Sequence, residues 1–410
     1  MMNNHNVCKP LKAKSTMNSV IRYYLFLLVA GLLISNVSYA ADQILAVGID
    51  RKFDYNEDTG KYLALEPGHD EILFYSLERP EDPRFIGGLS IGNSVVGPPT
   101  NIAITPNQKT AIIASAITSV QNKEKSDWKM APSDYVTIVD LTPPIRIADM
   151  IKVGKQPSGI AIDSSGKMAL VANRGDKSIS VLSIDGDVVK VTDTIDMGDV
   201  VTSVAISPDG HKAFATKFAQ HKVAELVIDP SGKVTYSGRD IPVGLYPWTV
   251  NIAADGSRAI VTNIGAKAAA DGNAKTVSII DLSVQPARVA QHVTVGDAPE
   301  GVVISPDSKL AAISVLAGSY AVPKDAWWRR EVGQLSILQL GDEGVSLVET
   351  IDVGSFPEGL AFSADSSHIY VGNFASKTLS VVTLKKDGTV QSIKELILPG
   401  PPGSLRVSGQ

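Results

Sequence analysis

The chain has 410 residues, a formal net charge of −5 and a hydrophobic content of 44%, and it contains 34 glycines and 23 prolines. An acidic chain is a poor candidate for binding nucleic acid or an anionic membrane surface. The hydrophobic content, combined with many turn-forming residues, is typical of a folded β protein.

Residues 1–40 have the pattern of an export signal. Basic residues precede a short apolar run, and Ser38-Tyr-Ala40 supplies the small residues of a cleavage site. The apolar run is too short to span a bilayer well. Cleavage would lower the net charge to −9, because this segment holds four basic residues and no acidic one, and it would also remove Cys8, the single cysteine. A chain without cysteine suits an oxidising compartment. We therefore expect residues 41–410 to be periplasmic or secreted, with no transmembrane anchor.

The sequence from residue 91 to residue 384 repeats a unit of short apolar strands and tight turns. Successive copies start roughly 44 to 62 residues apart, at or slightly above the period of propeller blades. Each apolar run is too short for a helix, and segments such as Ser-Pro-Asp-Gly favour tight turns. The copies start at Ile91, Val153, Met197, Val243, Val295 and Val353.

A unit of three or four strands cannot bury both faces alone, whereas a ring of stacked units can. The six starts supply six innermost strands, and the segment 398–407 offers a seventh, degenerate one. The strands predicted at 44–49, 71–77 and 84–86 lack an innermost partner. We therefore predict one all-β domain over 41–410, a seven-bladed β-propeller of four-stranded blades. Its C-terminal strand would pair with the N-terminal three and close the ring. Six blades with flanking tails are the alternative.

Two short patterns within the repeat carry a resemblance to a known family. Leu170-Val-Ala-Asn173 and Tyr370-Val-Gly-Asn373 are followed by strands such as Val277-Ser-Ile-Ile-Asp281 in the equivalent place. This repeat resembles the forty-residue YVTN family of β-propellers, which includes bacterial envelope and surface-layer proteins. Propeller lactonases and the heavy subunits of amine dehydrogenases look like more distant relatives. The resemblance implies the fold and does not specify a function.

The strands of a blade are called A to D from the axis outward. Four of the B–C connections are predicted to be long, and the other three are short. All B–C connections emerge on the same face as the start of each innermost strand, here called the loop face, and the A–B turns emerge on the opposite plain face. Long loops in a compact repeat are usually functional. The long connections are residues 50–70, 115–134, 265–275 and 317–332.

The loop face is predicted to carry the tryptophans of the chain. Trp248 follows an innermost-strand opening and should lie at the axial mouth, whereas the other three lie in long loops. Trp and Arg are enriched at binding hot spots and can stack on a ligand. Packing of the loops onto the ring is the alternative role for these side chains. The candidate ligand-binding residues in the loops are Trp128, Trp327, Trp328, Arg329 and Arg330.

Glu300 and Glu358 occupy equivalent positions in adjacent blades, each within Pro-Glu-Gly. Both should stand at the start of an innermost strand, at the axial mouth. Two carboxylates there could bind a divalent cation, act as an acid–base pair or attract a cationic ligand. Alternatively, each could cap a turn or pair with a basic side chain. Propeller lactonases usually have Pro-Arg-His where this sequence has Pro-Glu-Gly, Pro-Ser-Gly or Pro-Trp-Thr, and this departure puts their activity in doubt.

A possible metal site is predicted within residues 54–60. Asp54, Asn56 and Asp58 place oxygen ligands at alternating positions, as Ca²⁺ loops do. The segment departs from the EF-hand pattern, because its glycine falls one place late and Leu65 stands where the bidentate acid belongs. An ordinary turn is the alternative. Ca²⁺ or another divalent metal is the one cofactor that the sequence suggests.

The absence of a complete catalytic motif favours a binding or scaffold role. We expect an exported propeller whose loop face recognises a protein, a glycan or a small ligand. The alternative is a periplasmic enzyme or enzyme subunit with its site at the axial mouth. Its chemistry would be that of a lactonase-like hydrolase or of a dehydrogenase partner.

Overall fold

The computed structural model describes residues 43–409, except 57, 59–60, 123–126 and 266–268. The predicted signal peptide, residues 1–40, lies outside the described residues. The described residues form β-strands and turns and contain no helix. Consequently, this part of the chain has no helix long and apolar enough to cross a membrane.

The described strands assemble into seven four-stranded antiparallel sheets, one for each blade, together with two separate hairpins. Blade 1 comprises β1 (Ile44–Ile49), β4 (Glu71–Ser76), β5 (Arg84–Ser90) and, innermost, β32 (Pro402–Val407). Blade 2 comprises β6 (Ile102–Ile104), β7 (Thr110–Ala114), β10 (Tyr135–Asp140) and β11 (Arg146–Lys152). Blade 3 comprises β12 (Pro157–Ile162), β13 (Met168–Asn173), β14 (Ser178–Asp185) and β15 (Val188–Asp196).

The remaining blades follow the same order from the axis outward. Blade 4 comprises β16 (Val201–Ile206), β17 (Lys212–Lys217), β18 (Lys222–Ile228) and β19 (Val234–Pro242). Blade 5 comprises β20 (Pro247–Ile252), β21 (Arg258–Asn263), β22 (Lys275–Asp281) and β23 (Arg288–Gly296). Blade 6 comprises β24 (Pro299–Ile304), β25 (Leu310–Val315), β26 (Gln334–Gly341) and β27 (Gly344–Asp352). Blade 7 comprises β28 (Pro357–Phe362), β29 (His368–Asn373), β30 (Thr378–Leu384) and β31 (Val390–Ile397).

The A–B turns show why the repeated Ser-Pro-Asp-Gly segments end one strand and start the next. The Ser207 hydroxyl donates to the carbonyl of Lys212 at 2.9 Å and accepts from its backbone N–H at 3.0 Å. The Asp209 carboxylate accepts the backbone N–H of His211 at 3.0 Å. Gly210 has a φ of 73°, a conformation that favours glycine. Local hydrogen bonds therefore reverse the chain without help from the rest of the ring.

The hydrophobic core lies between neighbouring blades, where sheet faces pack against each other. Leu170 and Ala172 of blade 3 pack with Val204, Ala215 and Leu226 of blade 4 in one buried cluster. Because both faces of the inner strands are covered, these strands read as nearly continuous apolar runs. Outer strands such as β15 are mostly exposed. Each blade thus depends on its neighbours for burial, as the repeat predicted.

The first blade combines strands from both ends of the chain. Leu45 of β1 lies opposite Val407 of β32, and Val47 lies opposite Leu405, in an antiparallel pair. The side-chain amide of Gln43 donates to the carbonyl of Ser408 at 2.9 Å. These contacts confirm the predicted ring closure and the count of seven blades.

The four predicted long connections are the B–C connections of blades 1, 2, 5 and 6. Two of them, predicted as loops, contain hairpins: β2 (Phe53–Asn56) with β3 (Lys61–Ala64), and β8 (Ile117–Asn122) with β9 (Asp127–Pro132). The hairpins contact each other, because β3 packs against β9. The Trp327 ring lies in the connection of blade 6 and packs against Gly272 in the connection of blade 5. The long connections of the loop face therefore contact one another.

Candidate active site at the axial mouth

The strand registers place one residue of each blade at an equivalent position near the start of the innermost strand. In blades 2 to 7 this position lies two residues before the point where regular pairing with strand B begins. In blade 1 the equivalent residue follows Pro402, which pairs with Ile49. We call the set the axial ring. Its members are Thr100, Ser158, Thr202, Trp248, Glu300, Glu358 and Gly403. Three predicted site residues, Trp248, Glu300 and Glu358, thus occupy consecutive places around the ring.

Hydroxyl groups from neighbouring blades hold the backbone of the two acidic members. Thr262 of blade 5 donates to the Glu300 carbonyl at 2.9 Å, and Ser314 of blade 6 donates to the Glu358 carbonyl at 2.8 Å. The blades approach so closely that a Cβ on Gly301 would lie 2.9 Å from the Glu358 carbonyl oxygen. This contact explains the glycine after Glu300. The backbones that carry the two carboxyls are therefore fixed relative to each other.

Burial keeps the two carboxyl groups from ionising in their ordinary range. Glu300 is 6% exposed and Glu358 is 2% exposed. Burial raises the pKa of Glu300 to about 8, against the opposing influence of Trp248 and Arg174. The pKa of Glu358 is raised well above its usual value by burial and by the charge of Glu300. The Glu358 Oε2 atom accepts no hydrogen bond in the described structure. At neutral pH the pair therefore retains protons, and Glu300 is the first to ionise.

Arg174 brings a cation to this pair. It follows the end of β13, and its Nη2 donates to the Val96 carbonyl at 2.8 Å. Its guanidinium carbon lies 5.8 Å from the centre of the Trp248 ring, within range of a cation–π contact. Burial lowers the pKa of Arg174 to about 10, and the charge of Glu300 opposes this shift. Arg174 therefore remains a cation at neutral pH, beside the carboxyl that ionises first.

Trp248 is a buried member of the axial ring. The Thr202 hydroxyl donates to its carbonyl at 2.7 Å, in the same manner as the contacts at the two glutamates. Its indole N–H lies near enough to the Glu300 carboxyl to favour the charged form, although the geometry falls short of a hydrogen bond. The ring also packs against Phe218, with ring centres 5.5 Å apart. Trp248 thus links the carboxyl pair to an apolar wall.

An apolar cluster surrounds the axial ring on the loop face. Tyr320 stacks on Phe356 with ring centres 4.4 Å apart, and Tyr55 of the β2–β3 hairpin lies 4.7 Å from Tyr320. This wall excludes water and accounts for the strong desolvation of the carboxyls. The buried members of the cluster are Phe53, Val95, Ala116, Ile117, Trp248, Ile264, Ala298, Leu316, Phe356 and Phe374.

Tyr62 lies on β3 and adds the β2–β3 hairpin to the candidate site. The residue as a whole is 41% exposed. The pKa of its hydroxyl is nevertheless raised strongly, first by burial and then by the charges of Glu358 and Glu300. The hydroxyl therefore lies within electrostatic reach of both carboxyls. A neutral phenol at this place can donate a hydrogen bond at any physiological pH.

The remaining predicted tryptophans lie away from the carboxyl pair. Trp128 pairs with Gln121 in the β8–β9 hairpin and is half-buried. Trp327 is 78% exposed, and its ring lies 5.6 Å from that of Trp328 in an edge-on arrangement. These three side chains therefore belong to the loops and not to the axial mouth.

Arg329 and Arg330 line a separate cavity of about 550 Å³ on the loop face. Arg330 donates to the Asp352 carboxylate at 2.8 Å, and Arg329 donates to the Val322 carbonyl at 3.2 Å. The cavity shares Phe53, Tyr55, Tyr320 and Phe374 with the region around the axial ring, but neither glutamate lines it. The predicted site residues thus form two neighbouring groups.

The predicted metal ligands lie on or just after β2. The Asp54 carboxylate accepts the backbone N–H of Tyr55 at 2.8 Å, and the Asp58 carboxylate pairs with Lys324 at 2.5 Å. Among the described residues, no group of three or more His, Cys, Asp or Glu side chains is arranged to hold a metal ion. Residues 57, 59 and 60 of this segment are not described. Metal binding by Asp54, Asn56 and Asp58 remains a prediction.

Sequence reasoning did not find Arg174 or Tyr62. A signal for Arg174 was present, because the residue that follows strand B is apolar in the blades that carry Ile264 and Phe374. Blade 3 alone has an arginine at this place, although blades 1 and 2 also have polar residues there, Asp50 and Ser115. Tyr62 carries no comparable signal, because its hairpin has no counterpart in most of the other copies.

Comparisons with known proteins agree with this architecture. The profile of the family described as "Lactonase, 7-bladed beta-propeller" matches residues 59–251, slightly less than half of the chain. The chain resembles the propeller lactonases. The matched part contains Arg174 and Trp248 but ends before Glu300. A search of curated protein sequences finds no significant match.

Several solved structures share the fold at low sequence identity. A proposed 6-phosphogluconolactonase from Bacteroides uniformis is 13% identical, with a TM-score of 0.66 over 89% of this chain and 99% of that one. A periplasmic gluconolactonase from Pseudomonas aeruginosa is 18% identical, with a TM-score of 0.62 over 89% and 99%. The hydrazine synthase of Kuenenia stuttgartiensis is 20% identical, with a TM-score of 0.58 over 78% and 92%. At these identities, the likeness establishes the fold alone.

Proposed function

We propose that the protein is a hydrolase that opens a lactone ring at the axial mouth. The observation that carries the proposal is the buried pair Glu300 and Glu358, held in adjacent blades beside Arg174. Two carboxyls with pKa values pushed upward by different amounts can divide the roles of base and acid. The resemblance to propeller lactonases supports the same class of reaction.

In the proposed reaction, ionised Glu300 removes a proton from water as the water oxygen attacks the lactone carbonyl carbon. Charge develops on the carbonyl oxygen, where Arg174 and the Tyr62 hydroxyl can stabilise it. The ring C–O bond then breaks, and protonated Glu358 gives its proton to the departing oxygen. The product is a hydroxy acid. Transfer of a proton from Glu300 to Glu358 restores the starting state, since the two groups interact.

The experiment measures lactone hydrolysis by residues 41–410 and by three variants. Hydrolysis is detected through the proton that it releases. Glu300→Gln and Glu358→Gln should each lower kcat/KM by about 10² to 10⁴, the usual contribution of a positioned acid or base. Glu343→Gln, in the exposed turn between β26 and β27, is the matched control and should retain full activity. Turnover that survives both replacements at the ring would exclude the proposed mechanism.

The pH dependence supplies an independent check of the base. Glu300 acts only when ionised, and its pKa is raised to about 8. Consequently, kcat/KM should rise about tenfold per pH unit below pH 8 and then level off. Glu300→Gln should abolish this rise. A profile that levels off near pH 5 would assign the base to a group with an ordinary carboxyl pKa.

A second candidate function is ligand recognition at the cavity of about 550 Å³ on the loop face. Its support is the combination of Arg329 and Arg330 with the aromatic residues Phe53 and Tyr320 in one wall. A native-state ligand at a hundredfold excess over its dissociation constant raises stability by about 2.7 kcal/mol. Thermal unfolding with a panel of sugars, amines and lactones would reveal such a ligand. A shift that persists in Arg329→Ala and Arg330→Ala would place its site elsewhere.

We also propose that the protein is exported after cleavage behind Ala40. The pattern in residues 1–40 supports this, and one structural neighbour is itself described as periplasmic. Intact mass measurement of protein from the cell envelope should give a chain that begins at Ala41. A mass that retains residues 1–40 would contradict cleavage.

A further inference from the structure

The cavity of about 550 Å³ on the loop face has charged side chains of both signs in its wall. Its charged lining residues are Arg51, Asp54, Arg329, Arg330, Glu331 and Lys377. Arg51 pairs with the Glu71 carboxylate at 2.6 Å. Arg330 pairs with Asp352 at 2.8 Å, and Arg329 donates to a backbone carbonyl at 3.2 Å. The three arginines are therefore engaged with the protein itself.

Glu331 and Lys377 present one charge of each sign to this cavity. Both residues are exposed, and neither side chain forms a salt bridge with another described residue. The Lys377 backbone is fixed, because its N–H donates to the Phe374 carbonyl at 3.3 Å and its carbonyl accepts the Leu398 N–H at 2.9 Å. The residue before Glu331 is held in the same way, since its N–H donates to the Gly318 carbonyl at 3.1 Å. The two charges thus project from fixed backbone segments of two different blades.

Much of the remaining wall is aromatic. Phe53, Tyr320 and Phe374 line the cavity, and such rings favour the burial of an apolar ligand group. Asp54 is the second acid of the wall, and its carboxylate accepts the Tyr55 N–H at 2.8 Å. A ligand that matches this wall has an apolar body, a cationic group and an anionic group.

We propose that the cavity binds a zwitterion, an α-amino acid with a large apolar side chain. The ligand ammonium would pair with Glu331, its carboxylate would pair with Lys377, and its side chain would contact the aromatic wall. A ligand with a single charge would leave one of these two residues without a partner. The volume falls within the range of small-molecule sites. The proposal rests on the second candidate function, recognition at this cavity, and is independent of lactone hydrolysis.

The test is isothermal titration of residues 41–410 with phenylalanine, phenylpropionate, phenylethylamine and glycine. Phenylalanine should bind about fivefold or more tightly than phenylpropionate, which lacks the ammonium, or phenylethylamine, which lacks the carboxylate. Glycine should bind at least about tenfold more weakly than phenylalanine, because it has no apolar side chain to bury. No binding of phenylalanine, or equal binding of phenylalanine and a singly charged analogue, would overturn the proposal.

Variants of exposed residues locate the two contacts. Lys377→Gln should weaken phenylalanine binding about fivefold and should not weaken phenylethylamine binding. Glu331→Gln should weaken phenylalanine binding to a similar extent and should not weaken phenylpropionate binding. Lys386→Gln and Glu343→Gln remove the same charges from exposed turns between strands C and D, and both controls should bind phenylalanine as the wild type does. Phenylalanine binding unchanged in Lys377→Gln and in Glu331→Gln would exclude this site.

Failure of this proposal is distinguishable from failure of recognition at the cavity. A sugar or lactone that raises thermal stability in the wild type and not in Arg330→Ala would retain the cavity as a binding site. If phenylalanine does not bind under the same conditions, the zwitterion is the wrong ligand class.

Discussion

At the scale of single residues, the central feature is two carboxyls that stay protonated because their surroundings are apolar. Glu300 and Glu358 are covered by the aromatic cluster, and Arg174 compensates only part of the cost of charging them. An amide or an apolar side chain at these positions would make the folded protein more stable. The presence of two carboxyl groups therefore favours a functional role for the pair. The stability of the protein should therefore depend on pH in a way that identifies the pair.

The folded protein holds a proton on Glu300 up to about pH 8, whereas the unfolded chain releases it near the ordinary value of 4.5. Between these values the native state binds more protons, so the free energy of unfolding falls as pH rises, by about 1.4 kcal/mol per pH unit for each such proton. Urea unfolding at pH 5 and pH 8 measures this loss. Glu300→Gln should lose less stability than the wild type over the same interval, and equal losses would contradict the raised pKa.

At the scale of elements, the β2–β3 hairpin decides what covers the axial ring. A buried ion cluster fixes the chain just before the hairpin. The Lys52 ammonium donates to Asp50 at 3.0 Å, to Asp70 at 2.6 Å and to the Asn93 carbonyl. The Asp50 carboxylate in turn accepts the Val95 N–H at 2.8 Å. We infer that this cluster anchors the hairpin that carries Tyr62, whose hydroxyl lies within electrostatic reach of the carboxyl pair.

Removal of the cation alone should be costly. Lys52→Met leaves two buried carboxyls without compensation and should lower the free energy of unfolding by roughly 3–5 kcal/mol. The triple variant Asp50→Asn, Lys52→Met, Asp70→Asn should recover much of this loss, because no buried charge remains. Urea unfolding measures the free energy of unfolding of the wild type, of Lys52→Met and of the triple variant. Lys152→Met, which breaks the exposed pair with Asp134, is the control and should change stability little. A single variant as stable as the wild type would show that the cluster does not anchor the hairpin.

At the scale of the whole molecule, one strand from the C-terminus completes the ring. Leu405 is 2% exposed and packs in a core cluster with Leu45 and Tyr370, which belong to the first and last blades. Contacts between these blades thus depend on residues from both ends of the chain. Ring closure should therefore contribute to global stability and not only to local order.

Leu405→Ala should lower the free energy of unfolding by about 2–5 kcal/mol, the usual cost of a large-to-small change in a core. Ile397→Ala is the matched control, because Ile397 is 84% exposed at the end of β31. It should change stability by no more than about 0.5 kcal/mol. Chemical denaturation of the two variants measures the difference. Equal stability would mean that β32 does not close the ring energetically.

The sequence by itself determined the blades, their number and the way the ring closes. This was possible because each blade is built from local signals: short apolar runs, and turns such as Ser207 to Gly210 whose hydrogen bonds form between close neighbours. Repetition then reveals the missing strand at both ends of the chain. Equivalent positions in the repeat also placed Trp248, Glu300 and Glu358 near one another.

Only the tertiary structure decided what surrounds those residues. The Tyr62 hydroxyl lies within electrostatic reach of Glu358 and Glu300, and Arg174 approaches Trp248 from a different blade. Such contacts depend on the paths of the long connections and on the angles between blades. No periodic pattern in the sequence predicts either of these. Burial is likewise a property of the assembled ring. On an open surface, the glutamate of the same Pro-Glu-Gly would ionise in its ordinary pH range. In this protein its pKa is raised, because aromatic side chains from several distant segments exclude water.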